Sequence, residues 1–182
     1  MNAALLIIDV QNDYFEGGAH VLSNAAAAGQ QAQKALQTAR QQQMPVIHIQ
    51  HLAVNEGADF FLPHTHGAAI NACVAPLPGE TIITKNYPNS FRDTALLAHL
   101  QTRGITQLYI CGMMTDVCVD ATVRAAMDLG FTTTVIGDAC ATRDRELYGI
   151  SVKAAIVNQA YLAGMTALNG LYARVITAAA LM

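Results

Sequence analysis

Three residues of this sequence could share a covalent hydrolysis: Asp9, Lys85 and Cys118. Asp9 follows the apolar run Leu5-Leu6-Ile7-Ile8, and Lys85 ends the run Ile82-Ile83-Thr84 as the one charged residue between Glu80 and Arg92. Cys118 lies where Cys111-Gly112-Met113-Met114-Thr115-Asp116-Val117-Cys118 passes from a strand pattern through a turn into a helix pattern. A cysteine in or near a first helical turn meets unpaired N–H groups and the positive end of the helix dipole, which favour its thiolate. A nearby lysine lowers the thiol pKa further, and a carboxylate beside both can carry protons. Each residue alone has a plainer reading: a turn or cap aspartate, a solvated lysine, a small buried cysteine.

Positioning them requires strands that end at these residues. Runs rich in Ile, Val and Leu at 3–10, 45–50, 81–85 and 107–111, with a Thr/Val-rich run at 132–136 and a last at 173–177, read as strands buried on both faces. Helical periodicity fills 25–43, 94–103, 117–129 and 146–163, with a shorter continuation toward Tyr172. Gly104 and Gly130 follow helical runs, where left-handed caps are expected. Such alternation predicts an α/β fold, a single three-layer, doubly wound, Rossmann-like domain over 1–182 with a mostly parallel six-stranded sheet. Ligands of such sheets bind outside the carboxyl ends of the strands, where Asp9, Lys85 and Cys118 fall. The stretch 51–79, with Gly57, Pro63, Gly67, Pro76, Pro78 and Gly79, is an excursion of the length that usually serves function or subunit contact.

With 182 residues the chain suits one domain that buries roughly 70% of its unfolded surface, so no disulfide staple is required. Charged residues make up 13% of it and the formal charge is −3 without a Lys/Arg cluster, which argues against a nucleic-acid surface. No apolar stretch approaches the ~20 residues of a membrane span, and no signal peptide is read, so the expected compartment is the cytoplasm with no membrane partner. Four cysteines without C-x-x-C spacing are then expected as free thiols. Neither G-x-G-x-x-G nor a P-loop follows the first strand, which argues against a nucleotide-binding protein.

The motifs resemble the isochorismatase-like superfamily of cysteine hydrolases, which includes nicotinamidases, N-carbamoylsarcosine amidase-like enzymes, ureide hydrolases and streptothricin hydrolase. The resemblance rests on Leu6-Ile7-Ile8-Asp9-Val10-Gln11-Asn12-Asp13-Tyr14 with Gly17-Gly18, and on Lys85 ahead of Asn89-Ser90-Phe91. It continues through Gly112 to Val119 with Thr122 and Arg124, and ends at Asp138-Ala139-Cys140. It implies Cys118 as nucleophile, Asp9 as general acid/base and Lys85 as the cation that steadies both. It also implies a non-proline cis peptide at Met113-Met114, with the backbone N–H groups of Met114 and Cys118 as an oxyanion hole. The implied reaction cleaves a C–N bond of a small amide, ureide or lactam through a thioester, with no cofactor. A cysteine at this position argues against vinyl-ether hydrolysis by an isochorismatase proper.

Nicotinamidases carry a metal-binding Asp-x-His after the second strand, where this chain reads His48-Ile49-Gln50-His51-Leu52 without an aspartate. No metal is therefore expected, although His51, His64 and His66 offer a conceivable tripod. Tyr14, Phe15 and Phe91 are candidates for an apolar pocket wall or for plain core, and Gln11 and Asn12 for orienting Asp9, bonding substrate or capping the turn. A metal-assisted, nicotinamidase-type amidase and a non-catalytic small-molecule binding protein stand as alternatives. The Cys118 to Arg124 segment looks closer to streptothricin hydrolase than to nicotinamidases. A homo-oligomer, dimer or tetramer, is expected from the resemblance and from the Ala-rich helices.

Overall fold

In the computed structural model, which describes residues 2–181, the branched aliphatic runs assemble into a six-stranded sheet. Its strands are β1 (Ala3–Ile8), β2 (Val46–His51), β3 (Thr81–Lys85), β4 (Gln107–Met113), β5 (Thr132–Ala141) and β8 (Arg174–Ile176). Between the last two lies a separate hairpin of β6 (Arg145–Leu147) and β7 (Ile150–Val152). Across the sheet the order is β3-β2-β1-β4-β5-β8, with every neighbouring pair parallel. The two terminal residues assigned to the domain from sequence, 1 and 182, lie outside the described residues.

β1 is buried along its whole length because both of its faces are covered. Leu5 and Ile7 pack on Ala32, Ala35, Leu36 and Ala39 of α1 (Ala25–Gln41). Ala4, Leu6 and Ile8 pack with Leu96 and Leu100 of α2 (Leu96–Thr102), Val123 and Ala126 of α3 (Asp120–Asp128), and Met165 of α4 (Ala154–Met165). Each fully buried Leu or Ile contributes about 1.5–3 kcal/mol, so β1 anchors both halves of the core. The small side chains of Ala28, Ala32, Ala35 and Ala39, three and four residues apart, form the buried stripe of α1 and let it lie close on the sheet.

Strand order reverses between β1 and β4, which opens a crevice at their carboxyl ends. The two backbones meet very closely there. Gly112 pairs with Ile8 at φ +133°, and a Cβ on it would lie 2.0 Å from the Ile8 carbonyl oxygen, so only glycine fits.

Two expectations need correction. The helix expected over 146–163 starts only at Ala154, because Tyr148 (φ 52°) and Gly149 (φ 73°) form a two-residue turn with both φ angles positive, which pairs Arg145 to Val152 as a hairpin. Strand β5 runs to Ala141 rather than 136, so Cys140 lies within it. The crossover from β2 to β3 has no α-helix; the 3₁₀ turn Ala72–Val74 is its one regular piece among the described residues. Gly104 (φ 62°) and Gly130 (φ 87°) follow α2 and α3 in the left-handed conformation expected of them.

Candidate active site

Asp9 directly follows β1, and its backbone turns out of the sheet at φ 50°, an uncommon angle for a residue with a side chain. β2 and β3 end side by side at His51 and Lys85, which are register partners. β4 ends at the Met113-Met114 bond, which is cis, and leads into the π-helical turn Thr115–Val119 that carries Cys118 ahead of α3. Four neighbouring strand ends thus deliver Asp9, His51, Lys85 and Cys118 to one crevice.

The site is dry. Asp9 and Lys85 have no exposed side-chain surface, and Cys118 is buried. Lys85 Nζ lies 2.7 Å from Asp9 Oδ2 and 2.9 Å from His51 Nδ1, and it donates to the Tyr87 carbonyl at 3.1 Å. Apart from this ion pair, neither carboxylate oxygen of Asp9 has a hydrogen-bond partner among the described residues. Potential ligand atoms of Asp9, His51 and Cys118 all lie within 4.8 Å of one another.

Electrostatics here differ from what the helix terminus and lysine alone suggest. Burial pushes the Cys118 thiol well above its ordinary value and Asp9 pushes it further, while Lys85 acts in the opposite sense and does not compensate. Cys118 therefore rests as a thiol beside Asp9, because desolvation of its anion outweighs the lysine. Burial works against the Lys85 ammonium, but Asp9 and Cys118 more than offset it and its pKa is raised. Burial, with Lys85 adding to it, lowers the pKa of His51 and keeps the imidazole neutral.

The other residues picked from sequence lie in distinct surroundings. Tyr14 is buried edge-on against Phe61, with ring centroids 4.7 Å apart. Burial, then Cys118 and Asp9, raise its pKa, so it keeps a neutral hydroxyl near Cys118. Gln11 and Asn12 direct their side chains at the 51–79 excursion. Gln11 Nε2 donates to the His51 and Ala68 carbonyls at 2.9 and 2.8 Å, and Asn12 Nδ2 donates to the His66 carbonyl at 2.9 Å. Phe15 packs beside α1 and lines a separate surface cavity of about 520 Å³ with Asn12, Glu16 and His66. Phe91 stacks on Phe131, just ahead of β5 at its amino end.

Several residues outside those picks shape the site. Asp13 pins the excursion, accepting from Phe61 N at 2.6 Å through Oδ2 and from Ala19 N at 3.2 Å through Oδ1. Gly67 fits against it because a Cβ there would fall 2.1 Å from Asp13 Oδ1. The turn that carries Cys118 is anchored by Asp116, which accepts from Arg145 Nε at 2.6 Å and from Thr142 Oγ1, and by Thr115, which bonds Asn158 of α4. Asp13 stood in the first motif, but its partner lies 48 positions on, and no local pattern marks Thr142 or Arg145.

Residues 3–178 match the isochorismatase domain family. The chain belongs to the isochorismatase family. It is 44% identical over 182 residues to the isochorismatase family protein YddQ of Bacillus subtilis strain 168, spanning 100% of this chain and 99% of that one. It is 37% identical over 143 residues to streptothricin hydrolase of Streptomyces noursei, covering 78% of this chain and 50% of the relative. Among solved structures, an isochorismatase from Pseudomonas putida KT2440 superposes with a TM-score of 0.92 at 35% identity, covering 100% of this chain and 90% of that one. Members of this family are hydrolases, amidohydrolases among them.

For this isochorismatase-family chain a metal fits poorly. Of the three histidines considered, His51 alone joins Asp9 and Cys118 in a potential ligand group among the described residues, while His64 and His66 line separate surface cavities. Two of that group's three members already hold the Lys85 ammonium, which an incoming cation would have to displace.

Proposed function

We propose that this protein is a cysteine-dependent hydrolase that cleaves a C–N bond of a small amide, ureide or lactam through a thioester. The observation that carries this reading is the buried Asp9 carboxylate, which meets Lys85 on one oxygen and otherwise accepts nothing, beside a thiol that burial keeps protonated. Asp9 takes the Cys118 proton, and the sulfur attacks the substrate carbonyl carbon. The C–N bond breaks as Asp9 returns the proton to the departing nitrogen, and water then hydrolyses the thioester. Lys85 holds the carboxylate and offsets negative charge as sulfur becomes anionic.

The Met114 carbonyl accepts from both Val117 N and Val119 N, at 3.1 and 3.2 Å. Cys118 lies in the turn Thr115–Val119 that directly follows Met114, which supports the two backbone N–H groups, of Met114 and Cys118, as the oxyanion donors. The free cysteines suit a reducing cytoplasm. No helix among the described residues is long and apolar enough to cross a membrane. The exposed apolar side chains of Leu147, Tyr148, Ile150 and Ile156 support a homo-oligomer.

A panel of small amides, ureides and carbamoyl amino acids, followed by ammonia release, tests the reading. Cys118→Ala is expected to lose at least roughly 10³-fold in kcat on any substrate found, with an unchanged fold. Full turnover by that variant would overturn the mechanism.

A further inference from the structure

We infer that His51 is a positioning residue for Lys85, held as the neutral tautomer with its proton on Nε2; this rests on the hydrolytic role of Lys85 argued above. His51 and Lys85 are register partners at the ends of adjacent parallel strands, so their side chains leave the sheet on the same side. An ammonium has hydrogens to give and no lone pair, so Nδ1, 2.9 Å from Nζ, must be the acceptor. The proton of the neutral ring is then on Nε2.

Counting donors gives the contact its meaning. Lys85 carries three N–H bonds: His51 Nδ1 and the Tyr87 carbonyl each face one as acceptors, and Asp9 Oδ2 lies 2.7 Å from Nζ as its counter-ion. In a pocket closed to solvent, losing one acceptor strands a charged N–H and lets the ammonium turn away from Asp9 and Cys118. His51 is itself braced for this task. Its N–H donates to Gln11 Oε1 at 2.8 Å, its carbonyl accepts from Gln11 Nε2 at 2.9 Å, and its ring packs 5.8 Å from that of Phe61. This assigns Gln11 a purpose: it fixes the strand end that holds the lysine.

The ionisable groups facing His51 are Lys85 from β3, Asp9 after β1 and Cys118 from the π-helical turn. Protonating Nδ1 would remove the acceptor and set two cations against each other, so Cys118 reactivity should fall on the acid side with the ionisation of His51.

Two measurements test this without any substrate. In protein labelled with ¹⁵N-histidine, the His51 ring is expected to show a bare Nδ1 and a protonated Nε2 near neutral pH; a proton on Nδ1 overturns the assignment. The second is the rate of Cys118 alkylation by iodoacetamide as a function of pH. The wild-type rate should fall more steeply with acid once His51 protonates. His51→Leu should react roughly tenfold more slowly without that extra acid limb, and His51→Gln, which keeps an acceptor and does not titrate, should recover most of the rate with the limb still absent. A His51→Leu rate at or above wild type, or an unchanged profile in both variants, overturns the inference. If alkylation behaves as expected while no amide is hydrolysed, the hydrolase reading fails and the positioning role stands.

Discussion

Strands β2 and β3 are bridged at both ends by a histidine and a charged residue, and the two bridges are opposite in kind. At the carboxyl end, His51 accepts from the Lys85 ammonium, whose counter-ion Asp9 has no other partner. Toward the amino end, His48 donates through Nε2 to Glu80 Oε2 at 3.0 Å. Glu80 also takes Arg40 Nε at 2.7 Å and Nη2 at 2.9 Å, and Leu77 N at 2.8 Å. The side-chain bond to Arg40 is the largest influence on Glu80 and carries its pKa down to about 2 against burial. A carboxylate with its oxygens filled can only hold structure together, whereas one left almost bare can exchange a proton. On the proposed mechanism, the difference separates a clamp from a reactive centre built of the same residue types.

The largest effect should come from Lys85→Met. It leaves Asp9 as an uncompensated buried charge, so urea unfolding is expected to show a loss of about 3–5 kcal/mol, with hydrolysis abolished. Glu80→Gln should cost about 1–3 kcal/mol in the same assay and leave kcat unchanged. If Glu80→Gln lowered kcat as Lys85→Met does, the two bridges would not differ in kind.

Acid should expose the clamp selectively. The folded pKa of Glu80 lies below its ordinary value of 4.5, so its contribution is complete above that value and is lost as pH falls toward about 2. Allowing for partial solvent screening, about 2 kcal/mol should disappear over that window. Thermal unfolding of Glu80→Gln should lack this part of the pH dependence. The smallest effect is expected for His48→Leu: it removes one of several donors to Glu80 and should cost about 1 kcal/mol in urea, with kcat unaltered.

The strands were legible because burial on both sheet faces demands continuous Ile, Val and Leu, as in Leu5 to Ile8. Asp9, Lys85 and Cys118 could be picked because each follows such a run directly. The hairpin at 145–152 was not legible: Glu146 to Ala163 keeps apolar spacing compatible with a helix, and the positive φ of Tyr148 has no residue signature. In the sequence, His51 stands out only as a possible metal ligand. Its link to Lys85 depends on register between strands 34 positions apart, and its contact with Gln11 on a pairing across 40.

The 52–80 crossover, though almost devoid of regular structure, is fastened like a strap riveted at several points. On one side of the exposed tip Asn55-Glu56-Gly57, Leu52 N bonds the Lys85 carbonyl and Ala53 N bonds that of Phe61. On the other side, Asp13 holds Phe61, and Asp13 N and Asn12 N bond the carbonyls of Gly67 and Ala69. A single proteolytic cut at that tip therefore leaves both stubs attached to the body, and the nicked protein would still travel as one particle with its crevice closed.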